Sequence, residues 1–246
     1  MKMWEADGRV RVVGHRGAPA LAPENTLASF AKALEMGVDF VEVDVHLSRD
    51  GALVVIHDHT LDRTTDGRGL VGQRSLEEIK RLDAGSWFDR RFAGERIPTL
   101  DEVLELVGGR CAVAVEIKNG PIFYEGIEGA VLASLERHGA LGRAMVMSFD
   151  HPTALRFKEL APESHTGVLF AGTPVVPVAL AKEARADMLM PLWTSVSAEM
   201  VASAHQAGLG VVPWPVDEPA AMEQMIAAGV DAIATNHPDR LRAMLD

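Results

Sequence analysis

The sequence has one cysteine in 246 residues. Nowhere does it hold an apolar run approaching the roughly 18 residues that a membrane-spanning helix needs. Lys and Arg are outnumbered by Asp and Glu, 24 to 35, for a net charge of −11, and they form no basic run. Each shortage removes a class of protein. A lone Cys111 excludes an internal disulfide framework and a multi-cysteine zinc site; it opens an apolar stretch, where a buried small residue is ordinary. General nucleic-acid binding needs a clustered cationic face, which is missing, as is a basic amphipathic helix for a membrane surface. The first residues, MKMWEADGRVRVV, contain no apolar core of a secretory leader, so the expectation is a cytoplasmic protein. Neither a GxGxxG nor a Walker-type loop is present.

What is there is a regular rhythm. Apolar residues make up 48% of the chain, enough for an ordinary globular core. Val10 to Val13 is a short β-run ending in Gly14-His15-Arg16-Gly17, followed by a helix with Leu27, Phe30, Ala31 and Leu34 on one face and Gly37 as its stop. Phe40 to Leu47 alternates strictly, and Leu53 to Ile56 is a further β-run joined to it by Ser48-Arg49-Asp50-Gly51. From about Leu100 the alternation runs to the C-terminus, with strands at 111–117, 144–149, 166–171, 188–192, 210–214 and 232–235. The helices between them are placed at 100–107, 122–138, 152–160, 175–185, 198–207, 220–228 and 239–245. Eight β/α units in about 250 residues predict an α/β fold, a (β/α)₈ TIM barrel, over 1–246. Residues 60–97 interrupt the rhythm, are polar and Gly-rich, and are too long for a simple connection; they read as a small insertion after the second strand. Its Trp87, Phe88 and Phe92 either cover part of the barrel mouth or anchor the insertion to the barrel.

In such a barrel chemistry sits at the C-terminal ends of the strands. The first strand ends in His15-Arg16, the second carries Glu42 and Asp44, the β-run after it ends in His57-Asp58, and the third barrel strand carries Glu116 and Lys118. Residues i and i+2 share a strand face. Val41, Val43 and Val45, with Val113, Val115 and Ile117, suit the helix layer, which turns Glu42, Asp44 and Glu116 toward the barrel axis. Three carboxylates buried together are costly unless a cation neutralises them. One divalent ion with oxygen ligands, Mg²⁺ or Ca²⁺, is the economical solution. His15 and His57 beside such a site suit general acid and base work, with metal ligation as their alternative; the carboxylates already supply hard ligands, which favours proton transfer. Arg16 offers a planar donor fork for an anion, most naturally phosphate, and Lys118 adds a point charge.

These residues form a familiar series. Gly14-His15-Arg16-Gly17, Pro23-Glu24-Asn25-Thr26, Glu42-Val43-Asp44-Val45, Val55-Ile56-His57-Asp58 and Leu61-Asp62-Arg63-Thr64-Thr65 resemble the glycerophosphodiester phosphodiesterase family in order and spacing. So do Ile97-Pro98-Thr99-Leu100, Val115-Glu116-Ile117-Lys118 and, more weakly, Val212-Pro213-Trp214-Pro215-Val216 and the stretch from Asp231 to Pro238. The resemblance implies a metal-dependent hydrolase on a TIM barrel. Its substrates would be small glycerophosphodiesters, such as glycerophosphocholine, cleaved to glycerol 3-phosphate and an alcohol. Carried over by position, His15 and His57 match the catalytic histidines, Glu42, Asp44 and Glu116 the metal ligands, and Arg16 and Lys118 the phosphate-binding cations. Glu24 and Asn25 match a motif close to the site, or else mark a helix start with Asn25 as its N-cap. Trp193 and Trp214 each follow a strand and either line the mouth, Trp214 as a substrate contact, or pack in the core. Pro215 stands where the family often has Thr, and Asn236 where an acidic residue is common; both bear on head-group contacts. The competing readings are a phospholipase D-like lysolipid hydrolase, which would call for an apolar mouth, and a non-catalytic phosphate-ester binding barrel.

Overall fold

Phe40–Leu47, the longest strand among the described residues (β2), shows how the barrel is made. Val41, Val43 and Val45 point outward into a core shared with the helices, together with Val113, Val115 and Ile117. Phe40 points inward, into a second core with Ala114, Met145, Met147, Leu169 and Met190. Strands buried on both faces are what a parallel sheet wrapped in helices requires. The computed structural model describes residues 8–246; the leader expectation for the N-terminus falls partly on residues 1–7, outside the described residues.

The strands are β1 (Arg11–Gly14), β2, β3 (Leu53–Val55), β4 (Ala112–Ile117), β5 (Ala144–Ser148), β6 (His165–Phe170), β7 (Met188–Pro191), β8 (Gly210–Val211) and β9 (Ala232–Thr235). The helices are α1 (Leu27–Glu35), α2 (Leu76–Lys80), α3 (Leu100–Val107), α4 (Ile127–Arg137), α5 (His151–Leu160), α6 (Pro177–Glu183), α7 (Ala198–Gln206), α8 (Pro219–Ala228) and α9 (Pro238–Leu245). Eight parallel strands run in the order β8-β7-β6-β5-β4-β2-β1-β9, with β3 attached antiparallel to β2. The ring closes between β8 and β9 through backbone hydrogen bonds, Asp231 N to Val211 O (3.0 Å), Ala234 N to Pro213 O (3.0 Å) and Val216 N to Ala234 O (2.9 Å). Pro213 and Pro215 lack the N–H that a regular ladder would use there, so β8 is short. This is the expected (β/α)₈ barrel. None of its helices, among the described residues, is long and apolar enough to cross a membrane.

Local chemistry sets the helix ends. Thr26 caps α1, and Thr99 with Glu102 forms a capping box on α3, which stops at Gly108 in the left-handed region (φ 53°). The expectation that Asn25 caps α1 is therefore corrected: the cap is the next residue. Helix α4 starts at Ile127 rather than at 122. The preceding residues turn back instead, with Tyr124 N donating to Asn119 Oδ1 (3.0 Å). Cys111 is half-buried against the outer core, and burial pushes its thiol up to about 11.

Strand β3 leads into the interrupting segment, which gathers its own small core from Val54, Ile56, Leu61, Val71, Ile79, Ala84 and Ile97. Val55 turns the other way, into the barrel core. Trp87, Phe88 and Phe92 stack edge-on against one another, with centroids 5.8 and 5.7 Å apart, and Trp87 Nε1 donates to Ala84 O. They brace the insertion; none of them lines the grooves at the barrel mouth.

The turn after β1 contains the tightest approach near the mouth. Gly17 has φ 91°, and a Cβ there would lie 2.4 Å from Ser29 Oγ and 2.7 Å from Ser29 C. Gly37 also has positive φ (68°), but a Cβ there would meet nothing within 4 Å. Gly17→Ala should cost about 2 kcal/mol or more of unfolding free energy, against about 1 kcal/mol for Gly37→Ala. Denaturant midpoints of the two variants check this, and equal losses would contradict the steric account.

Candidate active site

Glu42, Asp44 and His46 follow one another at every second position of β2, on its inward face. The register sets Asp44 beside Glu116 on β4. All three carboxylates are buried, and one ligand oxygen from each lies within 4.8 Å of the others. Their partners are unequal. Glu42 Oε2 accepts from Arg16 N (2.8 Å), and Asp44 Oδ2 accepts from Asn25 Nδ2 (2.7 Å) and faces Arg16 Nε (3.3 Å). Lys118 Nζ bridges Asp44 Oδ1 (2.9 Å) and Glu116 Oε1 (2.5 Å). Glu42 Oε1 is buried with no hydrogen-bond partner among the described residues.

The electrostatics follow from that imbalance. Burial, with Asp44 and Glu116 close by, raises Glu42 well above the usual carboxylate range, and burial lifts Glu116 to about 7. Burial acts the same way on Asp44, but Lys118 and Arg16 outweigh it and hold that carboxyl well below its ordinary value. Only hard oxygen donors converge here, Glu42 Oε1 and Asp44 Oδ1 among them without a hydrogen bond, and burial makes two of the three carboxyls resist ionisation. The residues therefore fit a divalent metal ion.

Two imidazoles flank this cluster, each fixed through Nδ1. His15, at the end of β1, meets Asn236 Oδ1 at 2.8 Å, while Asn236 Nδ2 donates to Asp217 Oδ2 (2.7 Å). The amide is thereby oriented, its oxygen must accept, and His15 Nδ1 carries the proton. Burial and Arg16 push His15 down to about 4. His57, after β3, pairs its Nδ1 with Asp58 Oδ1 (2.7 Å). Burial lowers His57 too, while Asp44 and Asp58 pull it back up. A third imidazole acts on the backbone: His46 Nε2 lies 3.1 Å from the His57 carbonyl, and Nδ1 lies 3.0 Å from Tyr124 Oη. A carbonyl only accepts, so Nε2 bears the proton and the tyrosine hydroxyl donates to Nδ1.

Arg16 adopts φ 56°, an unusual conformation for a residue with a Cβ. Its carbonyl accepts from Asn25 N (3.1 Å) and Ser29 Oγ (2.9 Å), and its N–H is held by Glu42. The same turn places its guanidinium against Glu24 (2.9 Å) and Asp44. Arg63, from the insertion, grips Glu24 and Asp58 together.

Above the carboxylates a groove of 520 Å³ is lined by His57, Lys118, Asn119, Phe149 and Trp214. It meets a 30 Å³ pocket over His15, Arg16, Glu42 and Glu116, floored by Met147 and Leu169. Trp214 stands edge-on to Phe149 (centroids 5.2 Å) and is fixed by Nε1 to Met190 O (2.8 Å). Trp193 instead packs on the outer core.

His15, Arg16, Glu42, Asp44, His57, Glu116, Lys118 and Trp214 thus converge at one end of the barrel. Sequence reasoning passed over His46, Tyr124, Asp217 and Arg63 as members of the site. His46 extends the Glu42–Asp44 stripe by two residues, which the strand period could have shown. Arg63 lies in one of the family-like motifs, but its partner Glu24 is 39 positions away, beyond any local spacing rule. Asn25 serves the site through Asp44 rather than the helix, and Asn236 is the partner of His15.

Comparison with known proteins agrees with this geometry. The profile of the glycerophosphoryl diester phosphodiesterase family matches residues 15–240, from the first histidine of the site to the last helix. A glycerophosphodiester phosphodiesterase of Caldanaerobacter subterraneus subsp. tengcongensis is 44% identical over 231 residues, 94% of this chain and 95% of the relative. Among solved structures, a glycerophosphodiester phosphodiesterase from Agrobacterium tumefaciens superposes with a TM-score of 0.84 at 33% identity, covering 96% of this chain and 100% of the other. A phosphodiesterase from Oleispira antarctica, solved in complex with the product sn-glycerol-3-phosphate, superposes at 0.89 with 31% identity and 96% of each chain covered. The match runs through every strand end that carries the carboxylates, histidines and cations, and the chain belongs to the glycerophosphoryl diester phosphodiesterase family.

Proposed function

We propose that His15 and His57 act as base and acid in the hydrolysis of glycerophosphodiesters to glycerol 3-phosphate and an alcohol, the reaction of this family. The observation that carries the division of roles is the unlike support of the two rings. His15 rests on a neutral amide and has a low pKa, so it is unprotonated near neutral pH, with Nε2 free to take a proton from the attacking oxygen. Burial lowers His57 too, but it rests on a carboxylate that offsets part of this lowering and so suits it, of the two rings, to protonate the departing alkoxide. Arg16 and Lys118 line the pocket where the phosphate would sit and offer it positive charge. Glu42, Asp44 and Glu116 would hold the ion, Mg²⁺ or Ca²⁺ by their all-oxygen character, which when bound polarises the phosphoryl group. The open groove beside Trp214 and Phe149 would receive the alcohol portion of a small, water-soluble diester.

Chelation with EDTA should lower turnover of glycerophosphocholine by about 100-fold or more, with recovery on adding Mg²⁺ or Ca²⁺. Glu116→Gln should weaken ion binding measured by calorimetry. Undiminished turnover in the stripped enzyme would rule the metal role out.

The activity should rise with pH as His15 loses its proton, near pH 4, and fall as His57 loses its own. The Asp58 hydrogen bond raises the His57 pKa, so Asp58→Asn should move the descending limb of kcat/KM to lower pH. A limb that stays in place, or moves up, would break the assignment.

His57→Ala should cost about 10²- to 10⁴-fold on a choline ester and far less on a nitrophenyl ester, whose leaving group needs little protonation. Equal losses on both substrates would remove His57 from the acid role.

A further inference from the structure

We propose that Arg63 is a positioning residue that sets the catalytic histidine and the phosphate-binding arginine in register with each other; this rests on the roles assigned above to His57 and Arg16. Arg63 donates through Nε to Asp58 Oδ2 (2.8 Å) and through Nη2 to Asp58 Oδ1 (3.1 Å). The same guanidinium donates through Nη1 to Glu24 Oε2 (2.8 Å) and through Nη2 to Glu24 Oε1 (2.9 Å). Each carboxylate then passes the constraint inward. Asp58 Oδ1 holds His57 Nδ1 at 2.7 Å, and Glu24 Oε1 accepts from Arg16 Nη1 at 2.9 Å. One planar side chain therefore clamps two carboxylates, and each of those holds a different working group. Only a guanidinium has enough donors in a fixed plane to do this; an ammonium cannot reach four oxygens at once.

The clamp stands on firm ground. Leu61, two residues before Arg63, is buried in the insertion's own core, its N–H donates to Gly69 O, and its carbonyl accepts from Thr65 Oγ1. The insertion thus holds a cation at a set height beside the β1–α1 turn, and the stacked Trp87, Phe88 and Phe92 take no part in this contact. Arg63 itself touches neither the pocket over the carboxylates nor the groove above it. Its side chain is 43% exposed, so its ion pairs add little to stability, and their value lies in geometry. A displacement of about 1 Å in a reacting group can cost roughly 100-fold in rate.

The test is a mutant cycle read as kcat and KM separately, with the melting temperature of each variant. Asp58→Asn should lower kcat chiefly, Glu24→Gln should raise KM chiefly, and Arg63→Ala should do both, by about 10- to 100-fold, with little change in melting temperature. In the Asp58→Asn, Glu24→Gln double background, adding Arg63→Ala should change neither constant further. Arg63→Lys, the variant to use if alanine unfolds the insertion, keeps the charge and should still lose both constants. An Arg63→Ala loss of the same size in both backgrounds would show that Arg63 acts by some other route and overturn the proposal. So would an Arg63→Lys enzyme with wild-type constants. If Asp58→Asn and Glu24→Gln themselves leave kcat and KM unchanged, the roles given to His57 and Arg16 fall, and the clamp with them.

Discussion

Three carboxylates in the wall of a closed barrel are the constraint that organises this molecule. Such groups cannot ionise side by side in a dry interior without positive charge close by, and the surrounding chain is arranged to supply it. Three cations, Arg16, Arg63 and Lys118, are laid against five acids, Glu24, Glu42, Asp44, Asp58 and Glu116. The deficit is two charges, which a divalent ion matches. The left-handed turn at Arg16, the close packing of Gly17 on Ser29 and the inward amide of Asn25 all serve to bring these groups within reach of one another. Local backbone strain at the end of β1 is held in place by hydrogen bonds from three directions, as strained functional turns require.

The same economy governs the histidines. Each ring is held through Nδ1, one by an amide and the other by a carboxylate, while burial lowers the proton affinity of both. Asn236 behind His15 and Asp58 behind His57 are what give the two rings unlike backing. His46 works at one remove, keeping the His57 backbone in place while its own Nδ1 is held by Tyr124.

The barrel and the acidic centre were legible in the chain because both express strict local periods. Alternation along 40–47 and 112–118 separates valines from carboxylates without any knowledge of neighbours, and eight such segments at regular spacing leave few architectures open. What escaped reading depends on contacts distant in sequence. The pairing of Arg63 with Glu24, or of His15 with Asn236 across 221 positions, leaves no local trace. Trp193 and Trp214 both follow strands, and only the direction of the chain after each strand sends one to the core and the other to the mouth. Helix α2 has five residues, too few to show a helical period, and α4 begins late because Asn119 captures the backbone ahead of it. The aromatic trio of the insertion could be read two ways from sequence, and stacking within the insertion decides it.

The seam between β8 and β9 gives the ring an uneven circumference. From β7 round through β1 to β9 every joint is a ladder between named strands, and a short ladder joins β7 to β8, but the last joint is stitched by the few backbone bonds that Pro213 and Pro215 leave available. That joint is carried by three backbone hydrogen bonds and no ladder of its own. Trp214 sits between those prolines, so the joint without a ladder coincides with the aromatic wall of the mouth, while the carboxylates of β2 and β4 lie along the six-residue ladder, the longest in the ring.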